Sequence, residues 1–155
     1  MLINRQRRVP IATQTLGNFL GRVRSVLHLA HRELTICFVS DSSMARLNLQ
    51  FRGQPGSTDV LSFSANGHAT RQRLRRSPSS TSYTSSTSST SYLGDIAISP
   101  ETARRNAVRF GRTLPQELRL LILHGVLHLL GYDHETDRGR MDRLERRLRA
   151  ELGLR

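Results

Sequence analysis

The chain has no lysine, no tryptophan and a single cysteine, and only 5% of its 155 residues are aromatic. One cysteine, Cys37, excludes an intramolecular disulfide, and its apolar neighbours suit a reducing compartment. No apolar run reaches the roughly 18 residues that a membrane span requires. The densest, Leu120–Leu130, is 11 long and contains two histidines. The opening residues Met1-Leu-Ile-Asn-Arg-Gln-Arg-Arg lack an apolar stretch followed by a small-residue cleavage site, so no signal peptide is expected and the expected location is cytoplasmic. A chain of this length supports one core, and residues 1–155 are expected to form a single domain.

Acids are also scarce. Twelve of them face 24 basic side chains, all arginine, for a net charge of +12. Arginine forks match phosphate oxygens, and a strongly positive surface accumulates polyanions, so RNA or DNA is the expected class of partner. Four of the arginines lie in a segment unlike the rest. Residues 70–92 run from Arg71-Gln-Arg-Leu-Arg-Arg into Ser77–Tyr92, where 13 of 16 residues are Ser or Thr. So little apolar area does not offset ordering entropy, and a flexible surface loop is expected there.

On either side of that segment, helical and strand patterns alternate. Leu2–Arg5 reads as a short strand, and Ile11–Ala30 as an amphipathic helix with Leu16, Phe19, Leu20, Val23 and Leu27 on one face. Glu33–Val39 is strand-like, and Ser42–Phe51 is a helix capped by Asp41 or Ser42. Val60–Phe63 and Asp95–Ile98 are short strands suited to pair as neighbours. Ser99-Pro100-Glu101 starts a helix that stops near Gly111. Leu114–Leu130 is apolar on nearly all sides and is therefore a buried central helix, ended by Gly131. Thr136 or Asp137 caps a last helix to about Leu152, with Met141, Leu144 and Leu148 inward. The expected fold is α+β: a small mixed β-sheet packed with about five helices, the buried central helix carrying metal-binding histidines.

Those histidines lie in His124-Gly-Val-Leu-His128-Leu-Leu-Gly131-Tyr-Asp-His134. Four residues apart on a helix, His124 and His128 project from one face. After Gly131 the chain reverses and brings His134 from the following loop. Three imidazoles from a helix and a turn suit a tetrahedral ion with one open position, and zinc is expected. Asp133 and Glu135 flank His134, either to orient a ligand or shuttle protons or in a solvated loop or capping role. His28, His31 and His68 share no such spacing and read as ordinary residues. The same histidine spacing serves a group of zinc proteases that place a glutamate base after the first histidine. Gly125 occupies that position here, which excludes proteolysis through that carboxylate.

The histidine segment, together with Arg52-Gly, Thr58-Asp-Val-Leu-Ser-Phe63 and Gly94-Asp-Ile, closely resembles the YbeY family of endoribonucleases, in consistent order from about Glu33 to Leu152. Two positions where the family usually has proline are Ser57 and Ser64. The resemblance implies a single-strand-specific, zinc-dependent endoribonuclease in 16S rRNA 3′-end maturation and ribosome quality control. It also implies His124, His128 and His134 as ligands of one Zn2+, Arg52 and His124 as catalytic residues, and single-stranded rRNA, the small ribosomal subunit and the GTPase Era as partners. Arg52, in a turn-rich helix exit, is placed to neutralise a phosphodiester. Asp59 reads as structural. The alternative is a non-catalytic, zinc-stabilised RNA-binding assembly factor. A hydrolase of some small or peptide substrate is a third reading.

Overall fold

The computed structural model describes residues 1–65, 91–133 and 137–154. Among them the order is β1 (Leu2–Asn4), α1 (Thr13–Val26), β2 (Arg32–Phe38), α2 (Asp41–Arg52), β3 (Val60–Ser64), β4 (Ser91–Ile98), α3 (Pro100–Arg109), α4 (Leu114–Leu129) and α5 (Arg140–Glu151). The strands form one mixed sheet in the order β1-β2-β4-β3. β1 and β4 run parallel to β2, while β3 pairs antiparallel with β4, Val60 opposite Ile98 and Phe63 opposite Asp95. The two strands expected to pair as neighbours thus do so. The expected loop at 70–92 lies outside the described residues, except that Ser91 and Tyr92 are strand. There the Tyr92 hydroxyl bonds Thr35 and Asp95, so β4 starts four residues earlier than its apolar pattern indicated.

Alternation along the strands divides the apolar side chains between two faces. Leu34, Ile36 and Phe38 of β2, with Ile96 and Ile98 of β4, join the main core built by α1 and α4. On the other face, Val39, Leu61 and Ala97 pack with Met44 of α2. α4 is the buried central helix: ten of its residues, Ile122, Leu123 and Leu127 among them, are closed to solvent. It starts with a capping box in which Thr113 and Gln116 each satisfy the other's backbone N–H.

Helix ends differ from expectation for local reasons. α1 stops at Val26 because the Arg24 guanidinium bonds the carbonyls of Leu29, Ala30 and Arg32 beyond it, where His28 takes a positive φ of 53°. The cap of α2 is Ser40, not Asp41 or Ser42: its hydroxyl accepts from the Ser43 N–H at 3.3 Å. The Asp41 carboxylate is engaged elsewhere. It accepts from Ser99, from Thr102 at 2.7 Å, from Ser57 at 3.1 Å and from Arg105 at 2.7 Å, tying α2 to the start of α3.

Two glycines permit close approaches. Gly94 has φ 137° at a β-bulge, where a Cβ would lie 2.0 Å from the Phe63 carbonyl oxygen. At Gly125 a Cβ would meet Ile96 Cγ2 at 2.8 Å, so α4 rests on the sheet at that point, with the Ser62 hydroxyl donating to the Gly125 carbonyl at 3.2 Å.

The α+β class, the mixed sheet and the five helices are as expected, but one part of the expectation is corrected. Among the described residues no group of three or more His, Cys, Asp or Glu side chains is placed to hold a metal ion, so the buried helix does not carry a metal-binding histidine cluster. It contributes only two imidazoles, and these are half-buried at its margin rather than in the core. The physical reason is that an i,i+4 pair supplies two donors from one face. The carboxylate of Glu145 lies on the opposite nitrogen of His124 from His128 and does not converge with them.

Gly125→Ala tests the close approach. In an open helix this change stabilises by about 1 kcal/mol; here overpacking against fully buried Ile96 reverses the sign, and a net loss of about 1 kcal/mol is expected in denaturant unfolding. Asp41 makes a pH prediction. Burial pushes its carboxyl up, but hydrogen bonds from Ser99, Thr102, Arg105 and Ser57 prevail and hold its pKa at about 2. The folded pKa is depressed, so the stabilisation is complete above the unfolded value near 3.8 and is lost as pH falls through about 2. With a quarter of the side chain open to screening, it is worth about 1 kcal/mol. Unfolding midpoints of wild type and Asp41→Asn should differ at pH 6 and converge toward pH 2.

Candidate metal centre

α4 ends immediately beyond His128. The N–H groups of Tyr132 and Gly131 bond the carbonyls of Leu127 and His128, and Gly131 takes φ 90°, a left-handed helix stop that turns the chain back. The reversal expected after Gly131 is therefore present. His134 and Glu135 lie outside the described residues, as does His68.

His124 and His128 meet edge to face, ring centroids 4.7 Å apart, with their Nε2 atoms 3.1 Å from one another. The other nitrogen of His124, Nδ1, lies 3.2 Å from Glu145 Oε2. An ionised carboxylate only accepts, so His124 carries its proton on Nδ1 and directs the Nε2 lone pair at His128. Two ligands on a tetrahedral ion with bonds of about 2.0–2.1 Å have their nitrogens about 3.3 Å apart. The pair observed here is close to that span, the spacing of two ligands of a zinc-sized ion, and no third His, Cys, Asp or Glu among the described residues joins them.

Glu145 is the neighbour of His124 that sequence reasoning missed. It occupies the inward face of α5, between Met141 and Leu148, which are sealed in the core. The helix start is fixed by Asp137, whose carboxylate accepts from the N–H groups of Arg140 and Met141 at 3.0 and 2.8 Å. The cap position itself is Gly139, not the expected Asp137, and Thr136, the other cap expected, lies outside the described residues. Glu145 is 6% exposed, and its second oxygen accepts from Arg149 at 2.6 Å. Burial pushes its carboxyl up, but the hydrogen bonds from His124 and Arg149 overcome that and hold the pKa at about 2. An acid in the apolar register of an arginine-rich helix was the available signal.

Beside His124 lies a cavity of about 160 Å³. Val60, Leu120 and Leu121 give it apolar walls, and Arg112, Glu117 and Arg149 give it charged ones. Arg112 donates to the buried Glu117 at 2.9 Å. Asp59 also borders it, but its oxygens accept from the Val60 N–H and Asn106, the structural role expected.

Arg52 is the last residue of α2, exposed, with Gly53 in a left-handed turn after it. Among the described residues it pairs with no carboxylate. α2 packs on the sheet face opposite α4, so Arg52 is not one of the residues lining the cavity at His124; the edge strand β3 lies between. The adjacent Phe51 packs on Phe63 of that strand, ring centroids 4.9 Å apart. His28 and His31 lie after α1, outside this constellation.

Comparison with known proteins bears on the whole chain. The family model described as Endoribonuclease YbeY matches residues 2–153. A relative from Solibacter usitatus, named Endoribonuclease YbeY, is 46% identical over 114 residues, covering 74% of this chain and 62% of the relative, less than two thirds of its length. One of the same name from Koribacter versatilis is 36% identical over 156 residues, covering 99% of this chain and 86% of the relative. Among solved structures, the solution structure of TM1509 from Thermotoga maritima is similar with a TM-score of 0.59 and 25% identity, covering 98% of this chain and 89% of that one.

Proposed function

The chain belongs to the YbeY endoribonuclease family, and from that premise we propose that it is a metal-dependent endoribonuclease of single-stranded RNA. The proposed role is 3′-end maturation of small-subunit 16S rRNA and ribosome quality control, in the cytoplasm. Among the described residues no helix is long and apolar enough to cross a membrane, which is compatible with that setting. The small ribosomal subunit and the GTPase Era are the partners proposed on family grounds.

The observation that supports catalysis best is the approach of two imidazole Nε2 atoms to 3.1 Å. The proposed ligands are His124 and His128, at the margin of α4, with His134 from the segment after it; the place of His134 rests on spacing alone. One Zn2+ per chain is the proposed occupant. When bound, such an ion supplies Lewis acidity toward a phosphodiester oxygen and acidifies water. The protein's own groups do the rest. The arginine-rich surface gathers the polyanion, and the exposed Arg52 guanidinium neutralises a phosphate whose charge grows in the transition state. Glu145 keeps the His124 proton on Nδ1, away from the reaction side. Gly125 supplies no carboxylate base after the first histidine, and that absence favours the second reading, a zinc-stabilised RNA-binding assembly factor without catalysis.

Metal analysis and cleavage of a single-stranded RNA separate these readings. His128→Ala should lose stoichiometric zinc and at least 100-fold in rate. Arg52→Ala should keep the zinc and lose about 100-fold in rate, the scale of removing one donor to a developing oxyanion. Chelation should abolish cleavage with the circular dichroism of the fold retained; unfolding on chelation would establish the structural reading instead.

A further inference from the structure

We propose that Glu145, braced by Arg149, is the positioning residue of the metal centre, and that α5 thereby sets the zinc affinity of a site whose ligands lie outside it. The inference rests on the nuclease reading only in assuming that His124 binds a metal.

Three observations carry it. First, the two oxygens of Glu145 are divided between partners: Oε2 lies 3.2 Å from His124 Nδ1, and Oε1 accepts from Arg149 at 2.6 Å. An ion pair serving helix stability alone is worth about 0.3–0.5 kcal/mol and needs no burial. Glu145 is almost fully buried, and burial of a carboxylate is unfavourable unless a specific partner compensates it. Here the specific partner is an imidazole 21 positions away in sequence.

Second, the contact selects the working tautomer. A carboxylate that accepts from Nδ1–H leaves the Nε2 lone pair as the metal donor and makes it more basic. Without that acceptor, nothing at Glu145 holds the His124 proton on Nδ1, and it redistributes between the two nitrogens. Arg149 holds the other oxygen of Glu145 from the same helix, one turn further on.

Third, α5 is rigidly placed. Met141 and Leu148 lock it into the main core on either side of Glu145, and the Asp137 carboxylate accepts from its first N–H groups, those of Arg140 and Met141. The carboxylate therefore presents a fixed acceptor to α4, not a side chain adjusting to wherever the imidazole lies.

The test measures zinc affinity by competition with a chromophoric chelator, on full-length wild type, Glu145→Ala and Glu145→Gln. Glu145→Ala should weaken zinc binding 10- to 100-fold, the usual effect of removing such an outer partner. Glu145→Gln, which keeps the shape and an acceptor but loses the charge, should recover part of the loss, and it carries the test if the alanine variant does not fold. Long-range 15N NMR of the metal-free proteins should show His124 protonated on Nδ1 in wild type and as a tautomer mixture in Glu145→Ala, a readout that a purely structural role would not move. Zinc affinity within threefold of wild type in both variants overturns the proposal. Wild type that binds no zinc overturns it together with the metal reading. Tight wild-type binding with unchanged variants overturns the positioning role alone.

Discussion

The contact of α4 with the sheet at Gly125 fixes the direction in which this protein can do polar chemistry. There is no room for a Cβ between the helix backbone and Ile96, so this point of the helix faces the strands. At 100° per residue, positions 124 and 128 then lie about 60–100° around the helix axis from that point, on the same side. They emerge at the margin of the buried helix, where solvent, β3 and α5 all reach them. A bulkier residue at 125 would lift the helix or rotate it, and the imidazoles would move with it. The same contact explains why a carboxylate does not follow the first histidine: that position is occupied by packing against the sheet.

Placing two imidazoles on so apolar a helix requires polar partners for each nitrogen. For His124 Nδ1 the fold supplies one from a separate element. α5 is mostly an arginine-covered surface helix, but its inward register is Met141, Glu145 and Leu148, with the acid between two core residues. α4 brings the two imidazoles together, α5 presents Glu145 to His124, and the hydrogen bonds from His124 and Arg149 hold the buried acid's pKa low. On the other sheet face, Asp41 plays a similar part, joining the start of α2 to α3 through four donors and so holding the helix whose last residue is Arg52.

Much of this was legible in the residues. The Leu-rich run announced α4, the Ser99-Pro100 pair announced α3, and the four-residue histidine spacing placed two rings on one face. What was not legible involves contacts across the sequence. Ser40 replaces Asp41 as a cap because the carboxylate is taken by residues of α3, which local pattern does not reveal. Glu145 was hidden for the same reason, since an acid beside arginines on a helix reads as a solvated pair until the partner 21 positions earlier is known. The expectation of a histidine cluster within the buried helix failed because spacing indicates which side chains share a face but not how many donors converge on a point. The role of Arg52 was read from its turn and from family resemblance, and Arg52 is not one of the residues lining the cavity at His124.

The central claim is that His124 and His128 share one ion through the nitrogens that face each other. Anomalous diffraction at the zinc edge from crystals of the metal-loaded protein tests it most directly. The account predicts a single strong peak about 2.0–2.1 Å from the Nε2 atoms of both residues, with His124 Nδ1 still bonded to Glu145. A peak elsewhere in the molecule, or one ligated through His124 Nδ1 in place of Glu145, would contradict it.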